Sequence, residues 1–147
     1  MFREVTLEEF DIYGDQHTIA FDRREKDAPQ LFYKHVSKMA PKENAEVFSV
    51  ITDNGDSFSY FIGTKQNQME VLEKYRIPSG TWLVFPCEGK HPEVLRETRT
   101  RLFNEFLVVH PEYELVGRII VERFINGDYR SHHYKSELWV PVRHNDV

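Results

Sequence analysis

The chain has 147 residues, 40% of them apolar and 14% aromatic, enough for the core of one ordinary domain with rings to spare. Nineteen basic and 24 acidic side chains give a net charge of −5, which repels a phosphate backbone and sets nucleic acid aside as a direct partner. No apolar run is long enough to cross a bilayer, the N-terminus is acidic where a signal peptide is basic, and the single cysteine, Cys87, excludes an internal disulfide framework. A cytoplasmic location is therefore expected, without membrane contact.

In chain order, residues 10–21 read as a first strand. Asp27-Ala28-Pro29-Gln30 carries the signature of a helix start, with Asp27 as cap, Pro29 in the first turn and Gln30 closing a capping box. Leu31, Phe32, His35, Val36 and Met39 then recur at helical spacing as a stripe facing a sheet, and Pro41 ends it. Residues 46–52 and 57–63 flank Asp53-Asn54-Gly55-Asp56, a strong hairpin signal because Asn and Gly tolerate positive φ. In the return strand Phe58, Tyr60 and Ile62 share one face.

Residues 75–85 hold a turn at Pro78-Ser79-Gly80 and then a strand that is apolar on both faces, which belongs inside a covered sheet. His91-Pro92-Glu93 starts a second helix. Its expected buried stripe is Leu95, Leu102 and Phe106, joined by Val94, Phe103 and Leu107. The run Arg96-Glu97-Thr98-Arg99-Thr100-Arg101 mixes charges and reads as the solvated side of that helix. A last hairpin joins residues 118–125 to 136–142 through Asn126-Gly127-Asp128, with His132 and His133 in its return strand. The order strand, helix, hairpin thus occurs twice. The expectation is one α+β domain over residues 1–147 with pseudo-repeats of about 1–70 and 71–147. Two strand-helix-hairpin modules would form one antiparallel sheet with two main helices and a pocket between the modules.

The residue that points to function is Glu122. In residues 118–125 it alternates onto the face of Ile120 and Phe124, and a carboxylate on an apolar strand face needs compensation. Two readings stand side by side. Glu122 pairs with an internal Arg or accepts from Tyr and Trp donors, or it forms the floor of an aromatic cavity that attracts a cation. The rings expected to share that cavity are Tyr60, Trp82, Phe124 and Trp139. No HxH, HExxH or Cys/His cluster is present, so no metal and no cofactor are expected. Cys87 has no activating base near it in sequence and reads as an idle thiol.

Residues 77–85, Gly89, Glu112-Tyr113, Val121-Glu122-Arg123-Phe124 and Glu137-Leu138-Trp139-Val140-Pro141-Val142 together resemble the GyrI-like small-molecule-binding domain family, the effector-binding domains of AraC-type and related bacterial transcription activators. The similarity covers roughly residues 46–143. It implies a pocket glutamate at Glu122, with pocket aromatics at Tyr60, Trp82 and Trp139 and Phe124 beside them. It also implies three functions. The first is a stand-alone, multidrug-type binder of aromatic or cationic, xenobiotic-like molecules. The second is a hydrolase of reactive cyclopropane-containing natural products with Glu122 as general base. The third is a protein-interaction role like that of a gyrase inhibitor, for which Glu43, Glu46, Asp53 and Asp56 are candidates by charge. The chain has Trp82 and Phe124 where many relatives have Tyr, which dries the pocket and favours binding over hydrolysis.

Overall fold

The computed structural model describes residues 1–38, 45–67 and 73–146, in which nine strands form one antiparallel sheet. The strands are β1 (Arg3–Leu7), β2 (Phe10–Ala20), β3 (Glu46–Asp53), β4 (Ser57–Thr64), β5 (Glu73–Ile77), β6 (Gly80–Glu88), β7 (Tyr113–Leu115), β8 (Ile119–Ile125) and β9 (Lys135–His144). Their order is β1-β6-β9-β8-β3-β4-β2-β5, with β7 also paired to β9. Outward from the central β3·β8 pair the order is the same on both sides: the hairpin partner, then the module's first strand. The two modules thus form the α+β sheet expected from the sequence.

The sheet is curled into a half-barrel, and its connections require this. Pro78-Ser79 alone joins β5 at one margin to β6, six strand spacings away. A flat sheet would separate them by about 29 Å, whereas two linking residues reach about 11 Å. The rings of Phe10 on β2 and Trp139 on β9 accordingly meet at 6.4 Å although their strands are four places apart. The inside of the curl is an apolar cluster of Ile12, Phe48, Val50, Phe61, Trp82, Val84, Val121 and Trp139, drawn from strands only among the described residues.

Among the described residues, two helices cover the outer face. A 3₁₀ turn, Phe21–Arg23, leads into α1 (Arg24–Lys38). Helix α2 (Glu93–Arg101) continues through a π-helical turn, Leu102–Phe106, and a last α turn, Leu107–Val109. Phe32 from α1, Leu95 from α2 and Leu102 from the π turn pack on Tyr60, Phe124 and Leu138 in a second cluster. Among the described residues no helix is long and apolar enough to cross a membrane.

Several local expectations are corrected. Helix α1 begins at Arg24, not Asp27, because the 3₁₀ turn feeds straight into it; Asp27 takes the Arg23 guanidinium at 3.0 Å instead of capping. Phe103 is half exposed, not buried. It sits in the π turn, whose wider winding takes the side chains out of the 3.6-residue phase. His132 and His133 lie in the loop before β9, both exposed, not in the strand. The short strands β1, β5 and β7 add to the expected set. Met39, Pro41 and Glu43 lie outside the described residues.

Candidate functional site

The site forms where the modules meet on the outer face. β3 and β8 pair at the centre of the sheet with Ser49 directly opposite Glu122. Glu122 is 5% exposed, and Ser49 Oγ donates to its Oε1 at 2.8 Å. From α2, Arg99 reaches down and donates from Nη1 to Glu122 Oε2 at 2.9 Å. The other edge of the same guanidinium sends Nη2 to both oxygens of Glu25 on α1, at 3.2 Å each. Arg96 closes the chain with Nε to Glu25 Oε2 at 2.6 Å. A carboxylate from each module is therefore bridged by one planar cation. Arg99 is nearly buried, its side chain 11% exposed, whereas Glu25 stands at the surface.

Of the two readings of Glu122, the pairing with an internal arginine is present in this structure. Burial and the charges of neighbours shape the titration of the groups around it. Burial acts to raise the Glu25 carboxyl, but the Arg96 hydrogen bond and the charges of Arg99 and Arg24 hold it below its usual value. Burial pushes the Tyr60 phenol well above its ordinary value, the Glu122 charge adds to this, and the Ser49 hydroxyl opposes it. His91, 4% exposed, is driven down to about 4 by burial and is neutral at pH 7. Both its ring nitrogens lack a hydrogen-bond partner among the described residues. The ring packs against Phe32 at 4.4 Å and Phe124 at 4.9 Å.

Two spaces adjoin this network. An inner cavity of about 20 Å³ is bounded by Glu122, Tyr60, Arg99, His91, Leu95 and Glu25, among others. It has room for about one water molecule. Outside lies an open groove of about 610 Å³, walled by Phe21, Phe58, Phe103, Ile51, Leu115 and Ile120 and carrying Asp22, Asp53, Arg24 and Arg118. That volume is the size of ordinary small-molecule sites. Arg24, Glu25 and Ile51 line both spaces, so the ion network is the partition between them. Phe21 stacks on Phe58 at 5.0 Å with 17° between the rings, and the Arg24 guanidinium lies 4.9 Å above Phe58.

The structure brings together only some of the residues expected at the site. Glu122, Tyr60 and Phe124 share the outer face. Trp82 and Trp139 do not: both lie inside the curl, on the opposite side of the sheet. The reason is register. In β9 Leu138 stands opposite Glu122 and Trp139 opposite Val121, so Trp139 takes the face of Val121. Trp82 lies in the same inner cluster, its Nε1 bonded to Pro78 O at 3.2 Å. The acids proposed for a protein partner are engaged locally: Glu46 with Arg123 at 3.2 Å, and Asp53 with the Gly55 amide at 2.8 Å.

Sequence reasoning missed Arg99, Glu25 and Ser49. A signal for Arg99 was present, because it falls between Leu95 and Leu102 at the four- and three-residue spacing of the buried stripe. Ser49 carried no signal apart from its pairing with Glu122, which only the fold reveals.

Two strand-helix-hairpin modules with a site at their junction are the architecture of GyrI-like effector-binding domains. Residues 4–142 match the model of the Cass2 family, integron-associated effector binding proteins, and the chain belongs to that family. Among solved structures, SAV2435 bound to tetraphenylphosphonium superposes with a TM-score of 0.76 at 17% identity, covering 97% of this chain and 94% of that one. A second solved structure, of a protein from Staphylococcus aureus MU50, gives 0.77 at 16% identity over 97% and 98%. An integron cassette protein from Vibrio cholerae gives 0.72 at 15% over 97% and 95%. No curated protein sequence matches the chain.

Proposed function

We propose that this chain is a cytoplasmic binder of aromatic, positively charged small molecules. The ligand's rings lie in the outer groove against Phe21, Phe58 and Phe103, and its charge is directed at Glu25 and Glu122. The observation that carries this reading is the continuity of the groove with a buried carboxylate through the shared wall of Arg24, Glu25 and Ile51. Ring faces and carboxylates attract a cation with the same sign, and the attraction strengthens as water is excluded. The tetraphenylphosphonium held by SAV2435 is a ligand of this chemistry. Of the aromatics expected from the sequence, Tyr60 beside Glu122 retains a ligand-facing role in this proposal, whereas Trp82 and Trp139 act only as core.

The test is calorimetric titration and thermal melting with tetraphenylphosphonium and a panel of planar aromatic cations. Binding raises the melting temperature increasingly as ligand concentration exceeds Kd, and Glu122→Gln reduces the rise. A melting temperature unmoved by every cation in the panel ends the proposal.

Hydrolysis is a second reading with one observation in its favour: a cavity sized for a single water beside Glu122. Both carboxylate oxygens are engaged by Ser49 and Arg99, so the base acts only after Arg99 leaves. Turnover of a strained electrophile that is lost in Glu122→Gln with binding kept decides for it; stoichiometric sequestration decides against it.

A further inference from the structure

Arg99 is more than the counter-ion of Glu122. Its guanidinium spans two carboxylates, Glu122 Oε2 at 2.9 Å and Glu25 at 3.2 Å, one from each module. Its Nε is buried with no hydrogen-bond partner among the described residues, so the fork is aimed at the two acids at the expense of its third donor direction. The space left beside it is only about 20 Å³. No drug-sized cation reaches Glu122 while Arg99 is in place, and the room its withdrawal frees is that of one flat, N–H-bearing cation. Arg99 also has a way out, since Glu25 and Arg24 open onto the groove and Arg96 beside it is already half exposed.

We infer that Arg99 is a built-in occupant of the ligand's charge seat, and that the preferred ligand is an aryl amidine or aryl guanidine. Its planar head displaces Arg99 from Glu122, and its aromatic body lies in the groove between Phe21, Phe58 and Phe103. This rests on the reading of the chain as an aromatic-cation binder and narrows the ligand class. The head-group is dictated by what the seat already holds: two –NH₂ groups of an amidinium sit side by side, as Nη1 and Nη2 of Arg99 do. A tetrahedral onium centre has no N–H to offer the Glu122 carboxylate. The roughly 20 Å³ beside Arg99 has no room for a second guanidinium-sized cation at Glu122, so ligand and Arg99 compete. Apparent affinity is then reduced by the fraction of molecules in which Arg99 occupies the seat.

The experiment uses biphenyl-4-carboxamidine, its neutral analogue biphenyl-4-carboxamide, and tetraphenylphosphonium. Each is titrated calorimetrically into the wild-type chain, Arg99→Met, Arg99→Gln and Glu122→Gln. The amidine is expected to bind the wild type and to gain about tenfold in affinity in Arg99→Met, to lose its binding in Glu122→Gln, and to exceed the carboxamide wherever Glu122 is present. Arg99→Gln keeps a hydrogen-bond donor for Glu122 and carries the test if Arg99→Met does not fold; it is expected to gain in the same direction. Amidine affinity that is unchanged or weaker in both Arg99 variants, or equal to that of the carboxamide in the wild type, overturns the inference. Tetraphenylphosphonium binding to the wild type without amidine binding also overturns it while leaving the broader proposal standing. Binding of neither cation removes both.

Discussion

Arg99 on α2 and Glu122 on β8 meet at 2.9 Å beneath the helix layer, and the second oxygen of Glu122 is held by Ser49 at 2.8 Å from the other module. A pair this deep stabilises little relative to apolar residues of the same size, but breaking it strands a charge.

Arg99→Met is therefore expected to lower stability by about 3–5 kcal/mol in urea denaturation, because it leaves the Glu122 carboxylate buried beside Ser49 alone. Arg99→Met combined with Glu122→Leu is expected to recover most of that loss. A double variant no more stable than the single one contradicts this account of the pair.

Acid weakens the fold through its buried histidines. The folded-state pKa of His91 is about 4, below the ordinary 6.5, because burial disfavours the charged ring. The unfolded chain therefore binds the proton first. The stability held by the neutral ring is complete above pH 6.5, declines as pH falls towards 4, and is gone below that, amounting to about 3 kcal/mol. His35, also lowered by burial, contributes with the same sign. Glu25 and Glu137, held below 4.5, contribute only in stronger acid. His91→Phe is expected to flatten the fall in melting temperature between pH 6.5 and 4.5. An unchanged slope rejects the assignment.

Phe103 is half exposed and lines the groove. Phe103→Ser is expected to change stability by no more than about 0.5 kcal/mol while weakening aromatic-cation binding severalfold in the same titration. A variant that binds as tightly as the wild type removes Phe103 from the ligand surface.

Cys87 is buried, its Sγ 3.3 Å from Thr98 Oγ1, and burial raises its thiol above the usual range. A disulfide reagent such as DTNB is expected to find no thiol in the native chain and one equivalent in denaturant. Rapid native labelling contradicts its placement under α2.

The parts of the fold legible in the sequence are those that depend on local chemistry. Asn54-Gly55 and Asn126-Gly127 marked both hairpins, and the two-faced apolar pattern of residues 81–85 placed β6 inside the sheet, where it lies between β1 and β9. The burial of Glu122 was legible from alternation alone. Its neighbours were not, because they depend on register across a loop. Residues 126–134 separate β8 from β9, and moving the pairing by one residue would have put Trp139 rather than Leu138 beside the glutamate. The inward turn of Arg99 was hidden by five other polar residues around it, which made a buried position look like part of a wet helix face.

The placement of Trp82 and Trp139 also decides how the protein can be watched. These are the chain's two indoles, and both are sealed on the side of the sheet away from Glu122 and the groove. Their emission reports whether the half-barrel is intact. A ligand that fills the groove leaves them in the same surroundings, so a silent fluorescence titration is no sign of an empty site, and occupancy has to be followed by heat or by a reporter placed at Phe21 or Phe103.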